Sequence, residues 1–359
     1  MGVHVEQLQR PGKLSPRLFE GTIFDNLGAP WDQVLVGPQH GVDVGVVRTG
    51  PGTVMALTSD PVFVVPAYGW ERAAWFAVHI LASDAAVSAL PLTWMAVDLN
   101  LPLSLSDDDL SVLWRAFSAT CADLGIAVVS GHTGRYAGCD WPMVGGAVCA
   151  AMGSEDAYIT PAMARPGDRI VVTKGAAIEA TALFGATFPD RLAAGVGAEV
   201  ARAADALFES QSVVPEARVA AAYGVRDAGV SAMHDATEGG VLGGLAEIAL
   251  ASGVGMRVRL QDIPVRPEVR AVCDHVGIDP YTSISEGTLL ATVRPEHETG
   301  LLAALNGAGI DAAVIGDVTE PGDGVLLETP EGTGPLVHPE IDPFWAAFVA
   351  RAEAAAAGA

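Results

Sequence analysis

Four aspartates in this 359-residue chain stand where carboxylates could meet a metal ion. Asp43 lies in residues 37–47 (GPQHGVDVGVV), after the glycine-rich turn that contains His40, Gly41 and Val42. Asp60 lies in Thr58-Ser59-Asp60-Pro61, Asp84 follows Ser83, and Asp235 lies in residues 233–241 (MHDATEGGV). Hard cations such as Mg²⁺ take oxygen ligands, commonly one or two carboxylates together with phosphate oxygens. Each aspartate also has a plainer use. Asp43 and Asp60, read singly, are ordinary turn residues, and Asp235 could cap the helix that follows it. Asp84 is harder to place that way. It falls among Ile80, Leu81, Ala85, Ala86 and Val87, where an ionised carboxylate is costly unless a metal or hydrogen bonds offset it. Convergent aspartates without a lysine-rich loop would suit a metal-bridged nucleotide site. Spacing by itself does not bring the four together.

A fifth segment, residues 128–143 (VVSGHTGRYAGCDWPM), places Gly131, His132 and Thr133 after a strand. Glycines there would let backbone N–H groups approach an anion, with the Thr133 hydroxyl as a further donor. A plain tight turn is an equal alternative. His132 and His234 lack the spacing of a zinc site, so neither is counted as a metal ligand. Cys121, Cys139, Cys149 and Cys273 form no CxxC pair and read as free thiols in a reducing cytosol. The chain has no GxxxxGK[ST] loop, no strand-borne GxGxxG and no GxSxG elbow.

The elements that must position these residues follow from periodicity and breakers. Residues 1–14 read as a mobile arm. Residues 15–27 predict a helix with Ser15 as cap, Pro16 at the first position and Gly28 beyond the end. Strands are expected at 34–36, 44–47 and 54–57, the last ending at Asp60. Residues 70–89 predict a helix that buries much of its surface and carries Asp84. A strand at 94–99 follows, then a helix capped by Ser106 and running to Leu124, with Asp107, Asp108 and Asp109 in its first turn, where the macrodipole favours anions. Strands at 126–129 and 143–151 complete a first domain, residues 15–160. The turn Ala164-Arg165-Pro166-Gly167-Asp168 marks the passage to a second, residues 161–345. Its strands are expected at 169–173, 230–234, 256–260, 287–293 and 312–318. Its helices are expected at 194–210, 215–223, 239–252, 267–276 and 296–308. An Ala-rich tail, residues 346–359, reads as a frayed helix. Strands and helices mix without a strict βαβ repeat, which predicts an α+β, mixed α/β fold.

Composition narrows the partners. Apolar residues make up 50% and charged residues 18%, as in a globular chain. The net charge of -23, from 43 acids and 20 bases, excludes a general grip on nucleic acid or on an anionic membrane. The longest apolar stretch, residues 73–97, contains His79, Asp84 and Pro91 and does not read as a membrane span. Residues 1–20 have no apolar signal region, so a cytoplasmic location is expected.

Taken in order, Gly41-Val42-Asp43, Thr58-Ser59-Asp60, Ser83-Asp84 with Ala89-Leu90-Pro91, Gly131-His132-Thr133 and Asp235-Ala236-Thr237-Glu238-Gly239-Gly240 resemble the aminoimidazole-ribonucleotide (AIR) synthase superfamily. That superfamily also holds thiamine-monophosphate kinase, selenophosphate synthetase, formylglycinamidine-ribonucleotide synthase and the HypE branch. The resemblance covers roughly residues 12–319, and residues 173–181 look most like the HypE-related branch. It implies an AIR synthase-like N-terminal ATP-binding domain and a matching C-terminal domain, in a homodimer with ATP near its interface. It further implies ATP and Mg²⁺ as cofactors, with Asp43, Asp84 and Asp235 holding the metal and Asp60 completing that site. His40, Gly41 and Val42 would line the nucleotide. So would Gly131, His132 and Thr133, from the same subunit or across the dimer. Lys13 would reach the phosphates. The implied chemistry is phosphoryl transfer that activates an unidentified small molecule or protein group, with Asp60, Asp235 and Lys13 as its acting residues. A thiamine-monophosphate-kinase-like activity and a non-catalytic nucleotide-binding maturation factor are the alternatives.

The chain departs from the family pattern at Val42, where relatives often carry a second acid, at Ser83 in place of Asn, and at Gly134 in place of Glu. Residues 354–359 lack the terminal cysteine of HypE, which argues against cyanide-ligand synthesis. Arg135, Tyr136, Cys139, Lys174 and Glu179 are the substrate-side candidates, chosen for nearness in sequence to these motifs.

Overall fold

Short valine-rich runs closed by glycine and proline suit strands joined by tight turns, and much of the first half is built from them. The computed structural model describes residues 19, 21–339 and 341–357. β1 (Val34–Val36), β2 (Gly45–Gly50) and β3 (Thr53–Phe63) pair antiparallel in chain order. After α1 (Trp70–Ala86) comes β4 (Leu92–Leu101), and α2 (Asp107–Asp123) carries the chain to β5 (Ala127–Arg135). β5 lies parallel to β4, as a helical crossover permits. β6 (Met143–Ser154) inserts between β3 and β4, giving the order β1-β2-β3-β6-β4-β5. Asp60 faces Ala147, Ala147 faces Val97, and Val97 faces Gly131. Ser106 caps α2 as expected, its hydroxyl accepting the Asp109 N–H at 3.1 Å.

The second half begins with β7 (Arg169–Thr173) and runs through α3 (Ile178–Thr187), α4 (Pro189–Val196), α5 (Ala198–Ala206) and α6 (Val214–Tyr223) to β8 (Val230–Asp235). It continues with α7 (Gly240–Ser252), β9 (Gly255–Arg259), α8 (Pro267–Val276), β10 (Leu289–Val293), α9 (Glu298–Gly307) and β11 (Ala312–Thr319). β12 (Val325–Thr329), β13 (Gly332–Pro335) and α10 (Pro343–Ala357) close the chain. The sheet order is β13-β12-β9-β11-β7-β10-β8, with β9 and β12 parallel and the other pairs antiparallel. Side chains alternate across a strand, so this sheet serves two cores. Val171 packs with α3, α4, α5 and α6, whereas Ile170 and Val172 pack with α7.

The Val171 core continues without a break into the core of the first sheet, and α1 lies at the junction. Its buried residues run around the whole helix, from Ala73 and Phe76 to Leu81 and Ala85, which is why its sequence shows no polar face. Across the junction, the Val213 N–H donates to Ser83 Oγ at 3.1 Å, and His79 Nδ1 meets Ser212 Oγ at 2.7 Å.

Several elements differ from the sequence-based expectation. β3 runs on to Phe63, so Asp60 lies inside a strand rather than at its end. The pairing register shifts between Pro61 and Phe63, and such a bulge tolerates a proline that cannot donate to the ladder. β5 extends to Arg135, so Gly131, His132 and Thr133 are strand residues and not a turn. The expected helix at 194–210 is broken at Gly197, with a 3₁₀ turn at Leu207–Ser210. α3 was not expected at all: it is buried on nearly every side and lacks an amphipathic stripe. The tail is helical as expected, but its helix begins earlier than the Ala-rich run. α10 starts at Pro343 and seats Phe344, fully buried, against Phe184. The N-terminal arm and the first residues of the helix expected at 15–27 lie outside the described residues. Among those described, no helix is long and apolar enough to cross a membrane.

Candidate functional site

Three segments of the first half converge on the end of β8. α1 supplies Asp84, half-buried, whose Oδ2 accepts a hydrogen bond from Thr58 Oγ1 at 2.8 Å. β3 supplies Thr58 and Asp60. The loop before β2 supplies Asp43. That loop rests directly on α7, and Gly41 makes the approach possible: its φ is +70°, and a Cβ there would lie 2.7 Å from the Glu247 Cβ. Only glycine combines that dihedral with that closeness.

From the second half come His234 and Asp235 at the end of β8, Glu247 of α7, and Glu286 just before β10. His234 Nδ1 lies 2.7 Å from Asp43 Oδ2, and its Nε2 lies 2.8 Å from Glu247 Oε2. Ionised carboxylates only accept, so both ring nitrogens donate and the ring is an imidazolium. Burial works against that charge. Asp43 and Glu247, by charge and hydrogen bond, outweigh it and hold the His234 pKa well above the ordinary imidazole range. One ligand atom from each of Asp43, His234 and Asp235 lies within 4.8 Å of the others. With both its nitrogens engaged, His234 has no lone pair for a metal. Its role in this geometry is to fix the Asp43 carboxylate.

The remaining groups are almost all acidic. Burial, followed by the charges of Asp235, Asp43 and Asp60, raises the Asp84 carboxyl far above the usual range. Glu286 is raised by burial and then by Asp235 and Glu179, and its Oε1 has no hydrogen-bond partner. Glu179 is pushed up to about 8, chiefly by burial. So many carboxylates cannot all ionise together in a desolvated space. A bound divalent cation would reverse that balance. The donor set is all oxygen, as Mg²⁺ requires, and too small for an all-protein cage, so water or phosphate oxygens would complete the shell. Asp43, Asp84 and Asp235, with Asp60 beside them, are the residues that could hold such an ion.

Other expected site residues lie elsewhere. Gly131 is three strands from Asp60 at the same level of the sheet, roughly 14 Å away at ordinary strand spacing. Its glycine is required by strand pairing, since a Cβ would fall 2.1 Å from the Val97 carbonyl oxygen. His132 and Thr133 are exposed on the edge strand, and His132 Nε2 meets Tyr136 Oη at 2.6 Å. The Tyr136 ring fills the space beside Gly134, where a Cβ would come within 2.6 Å of its hydroxyl. His40 packs edge-on against Phe19, with centroids 4.8 Å apart. Lys13 lies outside the described residues.

Among the substrate-side candidates, Arg135 ties the end of β5 to the head of α2 through the Leu105 carbonyl and Asp107. Cys139 is half-buried, whereas the other three thiols, also unpaired, are buried. Lys174 is not free for a substrate. Its Nζ donates to the Ser210 and Ser212 carbonyls and pairs with Glu216 at 2.8 Å. Glu179 accepts the Glu286 N–H at 3.0 Å and so braces the acidic cluster from behind. Asp235 does not cap α7; the Gly239 N–H goes instead to Asp342 Oδ2 at 2.8 Å.

Sequence reasoning missed Glu247, Glu286 and the bridging role of His234. Glu247 carried the same signal as Asp84: it is the sole charged residue of an otherwise apolar helix.

Family models for the N-terminal and C-terminal domains of AIR synthase related proteins match residues 41–152 and 165–327. The chain belongs to the AIR synthase related family. Within it, the similarity runs to the HypE-like branch. The chain is 29% identical over 280 residues to carbamoyl dehydratase HypE of Rhizobium leguminosarum bv. viciae, covering 75% of this chain and 74% of that protein. The crystal structure of Escherichia coli HypE, 26% identical, superposes with a TM-score of 0.63 over 80% of this chain and 87% of that one. A hydrogenase maturation protein HypE solved in complex with ATP shares the fold, with a TM-score of 0.61 and 22% identity over 91% of this chain and 93% of that one.

Proposed function

We propose that this chain is an ATP- and Mg²⁺-dependent enzyme that activates a small molecule or protein group by phosphoryl transfer. The observation that carries this reading is Asp84, half-buried and within reach of the charges of Asp235, Asp43 and Asp60, with Thr58 as its hydrogen-bond donor. Family membership and the ATP-bound HypE of the same fold support the nucleotide. Asp43, Asp84 and Asp235 would hold Mg²⁺ against the phosphates, with Asp60 beside it, and the ion would neutralise charge developing on the transferred group. His234 holds Asp43 in place, so that carboxylate need not reorganise when the ion arrives. Phosphoryl transfer needs positioning and charge neutralisation more than a protein nucleophile.

Gly131, His132 and Thr133 are part of this reading as residues of a homodimer. They lie on β5, an exposed sheet edge where a second copy could dock.

The test is calorimetric titration of ATP, with and without Mg²⁺, into the wild type and Asp84→Asn. The substitution removes a half-buried ionisable group from a repulsive cluster. It is therefore expected to raise the melting temperature of the metal-free protein while abolishing Mg²⁺-dependent ATP binding. Unchanged affinity in a folded Asp84→Asn protein would sink the assignment.

A further inference from the structure

A second concavity lies on the far side of the helical layer, bounded by α3, α4, α8 and α10. Its volume is about 190 Å³, and Phe184, Phe188, Leu192 and Val276 form its apolar wall. An apolar cavity of about 150 Å³ holds a benzene molecule, so this one has room for a single ring and one small substituent. Its remaining lining is cationic or basic: Arg191, Arg351 and His275.

That gathering is unusual in a chain with 43 acids against 20 bases. Among the described residues, neither arginine has a carboxylate partner. Arg191 Nη2 donates to the Ala354 carbonyl at 3.1 Å, and Arg351 donates to the Ala347 and His275 carbonyls at 3.2 and 3.4 Å. The Arg351 guanidinium also lies over the Phe184 ring, 5.6 Å from its centroid. Burial lowers the Arg351 pKa, as expected for a cation drawn out of water without a counter-charge. A guanidinium has five N–H donors, so these backbone contacts leave capacity on both arginines. An apolar pocket with a few convergent polar groups is the usual form of a small-molecule site.

We propose that this cavity binds a small carboxylate carried on a single aromatic ring or an apolar body of similar size. The ring would occupy the space beside Phe184 and Phe188, and the carboxylate would meet Arg191 and Arg351. Inorganic phosphate suits the site poorly, because half the lining would then face an ion with no apolar part. Along α3, Glu179 and Phe184 are five residues apart, roughly 8 Å of helix rise, so the cavity is separate from the acidic cluster. The proposal does not depend on the reading of that cluster.

The probe is 4-fluorobenzoate, titrated into the full-length protein and followed by ¹⁹F NMR, with 4-fluorobenzyl alcohol as the uncharged control. Benzoate is expected to bind at least tenfold tighter than the alcohol, and Arg191→Gln or Arg351→Gln to weaken benzoate about tenfold, the scale of a lost charge-assisted pair. Failure of benzoate to bind, equal affinity for the two probes, or wild-type benzoate affinity in the folded variants would overturn the proposal. Arg351 also packs on Phe184, so Arg191→Gln carries the test if Arg351→Gln does not fold.

Discussion

Two buried histidines are treated in opposite ways by their neighbours. His234 is clasped by Asp43 and Glu247 and held protonated. His79, on α1, stacks at 4.1 Å on Trp75 and hydrogen-bonds the Ser212 hydroxyl. Burial, with the nearby charges of Lys174 and Arg218, lowers its pKa from 6.5 to about 4. The unfolded chain therefore binds this proton at a higher pH than the folded one. The contribution is full above pH 6.5 and is lost as pH falls toward 4. Between pH 7 and 5, a window above the isoelectric point of about 4.5, the wild type should lose about 2 kcal/mol more stability than His79→Asn. Urea midpoints of both proteins at the two pH values measure this. Contributions from the acidic cluster cancel in the comparison, and equal slopes would show that His79 titrates normally.

Elements are fastened to the site by their ends. Immediately before α10 stands Asp342, whose Oδ2 accepts the Gly239 N–H and whose Oδ1 accepts the Phe344 N–H, at 2.8 and 2.9 Å. One carboxylate thus joins the last helix to the turn that follows Asp235. The helix itself is held by Phe344 and Phe348, packed on Phe184 and Phe188. Truncating a fully buried Phe removes both its transfer energy and its packing, so Phe344→Ala should cost about 3–5 kcal/mol. Hydrogen exchange should report it as faster exchange across residues 343–357 and in the turn at 239–240. Wild-type protection there would show that α10 is not integral to the fold. The sequence made α10 hard to place because alanines outnumber its aromatic anchors. It concealed α3 for a related reason: a helix buried on all sides has no periodic stripe to detect.

At the scale of the whole molecule, the acidic cluster exists only because the two halves meet. Asp43, Asp60 and Asp84 come from one sheet and its helix, and Asp235, Glu247 and Glu286 from the other. The first sheet also ends in β5, whose exposed face includes Val129 at 60% accessibility. An edge strand with unpaired backbone groups is normally covered or charged, and β5 carries few charges. If the chain pairs through this edge, Val129→Glu should turn a dimer into a monomer in sedimentation velocity without altering the far-ultraviolet circular dichroism. A wild type that sediments as a monomer, or a variant that stays dimeric, would rule out this edge as the contact.

By itself the sequence marked out the segments whose residue types could do chemistry. Asp84 declared itself because charge within a run of apolar residues has a cost that something must offset. Most strands and helices were legible because alternation, 3.6-residue periodicity and glycine or proline breaks are local properties. Tertiary structure decided which of those residues meet. It brought Asp43 to His234 across 191 positions of sequence, left Gly131, His132 and Thr133 on a distant strand, and turned Lys174 from a substrate candidate into half of a buried ion pair. Those outcomes depend on register and on packing between sheets. A local pattern does not encode them, because the free energy of a contact is realised only when both partners have been placed.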